Sequence, residues 1–379
     1  MKTYLIYFLL IGFILSCSSK KEAKTDESTI KNPEYGTWHE KESSISFELI
    51  QTFGEENGSP EMLISSTRSI QTIIIDESSN VYFLDLRNNK LLSFNKDGSL
   101  RWKIDKEGRG PGDISTSYDF TWNKKDRLYL LNVQSTRLDE FDLNGNFIES
   151  YNFSKLENYG ANTVEYLSSD RFLLASPIEK IYAAKIQIIN LDSDSLVEAS
   201  FQIKPLPEIP IPAGFYISTP VKTMNNQIVL GSDHSYGFYI YNLDGTLIKK
   251  ITRETDANVS PAVLINPPPG KNSFVILGES YPPMQLDNKY YLQQNKWATN
   301  IEDPNKFLQN AIAKKQVVSP EFNYSIDLLD SSYELLYSYE YNGDEDIGII
   351  RAIDHEGYLY AATDIPFPQI RKYKLIIDE

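Results

Sequence analysis

Three histidines and a single cysteine are the imidazole and thiolate metal donors in a chain of 379 residues. His39, His234 and His355 stand far apart in sequence, and no spacing among them matches a zinc motif. Asp85, Asn132, Asp233 and Glu279 offer hard oxygen donors for a divalent cation. Acidic residues are abundant, however, and nothing in the spacing of these four is diagnostic. Gly108-Arg109-Gly110-Pro111-Gly112-Asp113 is glycine-rich enough for backbone to approach a phosphate. It lacks the Gly-Lys-Ser/Thr ending and the strand-to-helix context, and Pro111 removes a backbone donor, so it reads as a tight crossover. What remains is suited to binding rather than catalysis. Arg87, Arg109, Asp113, Arg137 and His234 are charged or polar groups at connections. Tyr216, Tyr281 and Trp297 supply aromatic contact area at small entropic cost.

The elements that position these residues are short strands. Between Ser69 and Asp113 the chain reads as four of them, at Ile70–Ile75, Val81–Leu86, Leu91–Phe94 and Leu100–Ile104, each closed by a turn cluster. The unit repeats. Val81-Tyr82-Phe83-Leu84-Asp85 has counterparts at Leu128–Asn132, Phe172–Ala175, Ile228–Gly231, Tyr290–Gln293 and Leu359–Ala362. The third strand and its turn return as Phe141-Asp142-Leu143-Asn144-Gly145, Ile189–Asp192, Tyr241-Asn242-Leu243-Asp244-Gly245 and Ile326–Asp330. Six copies of a four-stranded unit predict an all-β fold, a six-bladed β-propeller of antiparallel blades. The blades read as 69–105, 117–153, 163–203, 218–253, 282–342 and 348–376. The last copy lacks a fourth strand, and Ile45–Phe53 alternates like one. The N-terminal strand is therefore expected to complete the C-terminal blade and close the ring. Within the fifth blade, Asp303-Pro304 predicts the start of a helix of about ten residues.

Ahead of the ring, residues 1–16 carry one lysine and then an apolar run too short to span a membrane comfortably, the layout of a secretory signal. Cys17 follows Ile14-Leu15-Ser16 and resembles the lipobox of bacterial lipoproteins, which implies a lipidated cysteine at the new N-terminus and a membrane as partner. Ser18-Ser19 after such a cysteine implies retention at the outer membrane, facing the periplasm. Lys20-Lys21 departs from the acidic signal for surface export. Residues 18–44 are polar and aperiodic, which predicts a flexible tether that folding does not need. The organisation expected is thus a signal at 1–16, lipidated cysteine and tether over 17–44, and propeller over 45–379.

The strand–turn repeats and the Gly108–Asp113 linker resemble the six-bladed propeller lipoproteins of Gram-negative envelopes, relatives of the NHL-repeat propellers. That resemblance implies the ring and the anchor but no single activity. In such a ring, connections after second and fourth strands leave on one face, and those after first and third strands on the other. The long connections 54–68, 106–116, 204–217, 254–281 and 296–321 all fall on the first face, where binding residues concentrate. The expected function is a non-catalytic module binding a protein, peptide or glycan through that face. The alternative is a metal-assisted hydrolase or lyase at the channel mouth, similar to the lactonase-type propellers. Amidating lyases of related fold use several histidines at the ring centre, whereas His234 and His355 here are expected on opposite faces. With 52 acidic against 37 basic side chains and a net charge of −15, nucleic acid is not an expected partner. No cofactor is implied.

Overall fold

The computed structural model describes residues 28–39, 44–55, 64–66, 70–133, 136–153, 156, 160–178, 183–193, 196–204, 220–232, 236–255, 262–263, 274–275, 278–303, 306–307, 309–310, 313, 320–342 and 347–378. Cys17, Tyr216, Asp233 and His234 lie outside them.

Each repeat forms one antiparallel sheet with its first strand innermost. The first blade is Ile73–Ile75, Val81–Asp85, Lys90–Phe94 and Leu100–Ile104. The second is Ser117–Trp122, Arg127–Asn132, Arg137–Asp142 and Phe147–Asn152, and the third is Thr163–Ser168, Arg171–Pro177, Ala184–Asn190 and Val197–Ile203. The fourth contains Val221–Met224, Gln227–Leu230, Gly237–Asn242 and Leu247–Arg253. Second strands are covered on both faces, which is why they read as unbroken apolar runs: every residue of Val81–Asp85 is buried. Fourth strands have one neighbour fewer and stay half exposed, as in Val197–Ile203.

Closure is as expected. Ser44–Phe53 pairs antiparallel with Gln369–Asp378, Phe53 opposite Ile370 and Ser46 opposite Ile376, outside Tyr358–Thr363 and the innermost Ile349–Ile353. One apolar cluster fills each junction between neighbouring blades. Between the sixth and first blades it joins Phe53, Tyr360 and Ile370 to Val81, Phe83 and Phe94. The Asp-x-x-Gly turns serve the same packing. Gly145 (φ 80°) and Gly245 (φ 85°) adopt left-handed backbone. A Cβ on them would meet Trp102 at 2.9 Å and Phe201 at 2.5 Å, side chains of the preceding blade's outer strand.

Two features differ from expectation. The fifth blade begins with a split inner strand, Gly278–Ser280 and Met284–Gln285, both paired to Tyr290–Ala298. Pro282-Pro283 cannot donate to a ladder and sits at the break. Further out, the blade holds Phe322–Asp330 and Leu335–Asn342. The Asp303 carboxylate accepts from the Lys306 amide (3.0 Å), capping the helical turn described at 306–307. More consequential, the stretch expected as free tether is part of the ring from residue 28 to 39. Thr29–Asn32 adds a fifth, parallel strand outside Leu247–Arg253. Asn32 then grips the fifth blade, donating to the Tyr333 carbonyl (3.0 Å) and accepting from the Leu335 amide (2.8 Å). Trp38 is buried between the fifth and sixth blades. Backbone bonds of this strap join the outer edges of the fourth and fifth blades, and Ile30 and Trp38 are its apolar anchors.

Candidate functional site

The first strands of all six blades line a central channel of about 1290 Å³. They line it with Thr72, Asp119, Lys222 and Arg351 of blades one, two, four and six and with Glu279 and Tyr281 of the fifth, while Glu165 of the third adjoins Lys222. The belt is tied across blades. Thr72 Oγ1 donates to Asp119 Oδ1 (2.5 Å), and Asp119 Oδ2 accepts from the Val164 amide (3.0 Å). Lys222 Nζ lies 2.9 Å from Glu165 Oε1, and Thr223 donates to Glu165 Oε2 at 3.2 Å. Tyr281 donates to Glu279 (2.7 Å), which Lys296 approaches at 3.8 Å. Arg351 lies over the Tyr281 ring, 5.4 Å from its centroid.

Burial pushes the Asp119 carboxyl up to about 6, only partly opposed by Lys222 and the Thr72 hydrogen bond. Burial also works against the charge on Lys222, but the Glu165 and Asp119 carboxylates outweigh it and hold its pKa above the ordinary value. Its side chain keeps 41 % of its accessible surface although protein surrounds it, because it borders the lumen.

Of the residues expected to form a site, Tyr281 and Glu279 reach this channel. Arg137 is turned inward: it is buried, with Nε on Asp139 (2.7 Å) and its two terminal nitrogens on the carbonyls of Arg109 (2.7 Å) and Asp113 (2.6 Å). The Asp113 carboxylate takes Lys106 (2.7 Å) and the Gly110 amide (3.2 Å), and Lys106 holds its pKa below the ordinary value. Its side chain occupies the space where Gly108 and Gly110 would carry a Cβ, at 2.4 and 2.9 Å. The glycine-rich run is thus a crossover folded round its own aspartate, as its composition suggests. The Arg109 side chain is exposed at that crossover, away from the channel lining. Arg87 is exposed beside a small groove between the sixth and first blades.

Asp85 and Asn132 end equivalent second strands, and their oxygens are used internally. Asp85 accepts from Ser65 and Asn88, and Asn132 accepts from the Ser115 amide and Ser117 while donating to Asp139 (2.6 Å). Each holds the linker that enters its own blade, so no shared oxygen site forms. Trp297 is buried against Tyr236, centroids 5.7 Å apart. His39 stacks on Tyr35 in the strap, and His355 is exposed in the turn after the innermost strand of the sixth blade. Sequence reading missed Thr72, Asp119, Glu165, Lys222 and Arg351. The available signal was register: the first four stand three or four residues before the first turn of successive repeats.

Sheet order, closure and the six inter-blade clusters define a six-bladed β-propeller. The chain belongs to the DUF5128 family, described as 6-bladed beta-propeller, which it matches over residues 59–253. No curated protein matches it. Among solved structures it is similar to a DUF4221 family member from Bacteroides vulgatus, with 10% identity, 88% of this chain and 99% of that one covered, and a TM-score of 0.54. It is likewise similar to a putative exported protein from Bacteroides fragilis, with 12% identity, 93% and 100% covered, and a TM-score of 0.52. At such identities the likeness concerns the fold.

Proposed function

We propose that this protein is a lipid-anchored envelope propeller that binds a protein, peptide or glycan through its long-connection face, without catalysing a reaction on it. Cys17 is the lipidated residue, and the outer membrane, on its periplasmic side, is the location. The observation that carries this reading is the direction of the strap. Thr29–Asn32 runs parallel to Leu247–Arg253, a fourth strand, with Thr29 opposite Lys250 and Asn32 opposite Arg253. Fourth strands run from the short-turn face toward the long-connection face, so the chain joins the ring coming from the short-turn side. An anchor eleven residues upstream is then reached most directly from that side, which leaves the irregular connections facing outward. Eleven residues extend at most about 40 Å, so the ring stays near the membrane.

The test has two arms. Cys17→Ser is expected to move the protein from the membrane pellet to the soluble fraction, and a mutant that stays pelleted after a carbonate wash refutes the anchor. Deleting 303–319 or changing Arg109 to Ala is expected to reduce crosslinked capture of envelope partners, with the melting temperature kept. Equal capture by both variants, with losses from substitutions on the short-turn face, reverses the choice of face. A metal-assisted hydrolase or lyase is the competing reading. Among the described residues no three His, Cys, Asp or Glu side chains converge as a donor set.

A further inference from the structure

We infer that the central channel holds a binding site for an organic carboxylate, with Arg351 as its anion receptor. The inference concerns the channel and stands independently of the anchor and of the long-connection face.

The charges in the channel wall are unequally committed. Glu165 is matched by Lys222 and Thr223, Asp119 by Thr72 and the Val164 amide, and Glu279 by Tyr281 and Lys296. Arg351 has no such counterpart. Its Nε is buried and meets no acceptor, and among the described residues no carboxylate lies within ion-pair distance of its guanidinium. Its one described attractive contact is with the face of the Tyr281 ring, which does not neutralise it, and Lys222 stands near enough to repel it. A second donor in the same wall, the indole N–H of Trp122, also lacks an acceptor. Buried donors without partners forfeit their hydration without compensation, so native folds rarely keep them without a use.

The remaining wall indicates the ligand's body. Tyr281, Pro282, Pro283, Met284, Phe322 and Tyr324 make a largely apolar surface on the fifth-blade side of the lumen, with Arg351 over Tyr281, Lys296 over Phe322 and Tyr341 stacked on Tyr324. A planar carboxylate pairs with a guanidinium through two parallel hydrogen bonds, and a flat or ring-shaped body can lie against those side chains. A bare inorganic anion would use the first feature and waste the second. The Glu165, Asp119 and Glu279 carboxylates would repel a polyanion, which confines the site to ligands with one acidic group.

Benzoate and D-glucuronate serve as probes, with benzamide and D-glucose as their uncharged counterparts, on the full-length protein in detergent. Saturation-transfer NMR is expected to show both acids binding and neither neutral compound, and Arg351→Met to weaken the acids roughly tenfold or more. Should Arg351→Met misfold, wild-type protein gives a second readout. Modification of Arg351 by hydroxyphenylglyoxal, mapped by mass spectrometry, is expected to slow with benzoate and not with benzamide. Equal binding of acid and amide, unchanged binding in a folded Arg351→Met variant, or protection by inorganic phosphate alone would each overturn the proposal.

Discussion

Asp119 holds two neighbouring blades at once, and its position makes that hold sensitive to pH. Burial raises its carboxyl from 3.8 to about 6 on folding, so the folded ring binds this proton more tightly than the unfolded chain. Between those values the folded state carries the extra proton. The group's contribution to stability therefore falls as the pH rises from about 4 to about 6, and is constant above that. Asp119→Asn removes the titration. Urea unfolding across pH 4.5–7 is expected to show the difference between variant and wild type changing by on the order of 2 kcal/mol. Parallel curves would mean the carboxyl titrates elsewhere. Arg137 is the opposite case, a buried cation whose partners are all internal. Arg137→Met leaves Asp139 charged and buried with only hydroxyl and amide donors, Ser150 and Asn132. A loss of about 3 kcal/mol in chemical denaturation is expected. Near-wild-type stability would reopen a surface role for Arg137.

At the scale of elements, the parts legible in the sequence are those whose side chains must obey a rule. The Asp-x-x-Gly turns announce themselves because Gly145 and Gly245 need left-handed backbone against a neighbouring blade. Second strands announce themselves because both of their faces are covered. The strap does not, since Thr29–Asn32 is held mainly by backbone pairing along an existing edge, and one apolar residue, Ile30, among three polar ones makes no pattern. The channel belt is equally silent. Thr72, Asp119, Glu165 and Lys222 are single polar residues in separate repeats, and only ring closure makes them neighbours. Because Asn32 satisfies both the Tyr333 carbonyl and the Leu335 amide where the turn enters the outer strand, Asn32→Ala is expected to cost about 2 kcal/mol. Deleting 28–39 should lower the melting temperature markedly, whereas deleting 18–27 should leave it unchanged. Scanning calorimetry of the two deletions distinguishes a strap from a tether, and equal melting temperatures would restore the tether.

For the whole molecule, the decisive contact joins chain segments more than three hundred residues apart. Ser44–Phe53 against Gln369–Asp378 both completes a blade and carries Phe53 into the last junction, where it packs with Phe94, Tyr360 and Ile370. The other five junctions join blades that are consecutive along the chain. This one must assemble after both ends have been made, and it covers the Gln369–Asp378 edge of the last blade. Loss of Phe53 alone, as Phe53→Ala, is expected to cost about 3–5 kcal/mol, the range for a large aromatic removed from a packed core. Loss of the whole strand should do something different in kind, because it leaves the edge of Gln369–Asp378 and the apolar sides of two blades uncovered. Deleting 44–53 is therefore expected to give a protein that aggregates in proportion to concentration. A synthetic peptide spanning 44–53 should restore a monodisperse ring on size-exclusion chromatography, by pairing with the same edge. A peptide carrying Phe53→Ala should restore it less well. If the deletion variant stays monomeric and melts like the full chain, closure is not what holds the ring together, and the strap across the fourth and fifth blades carries that role.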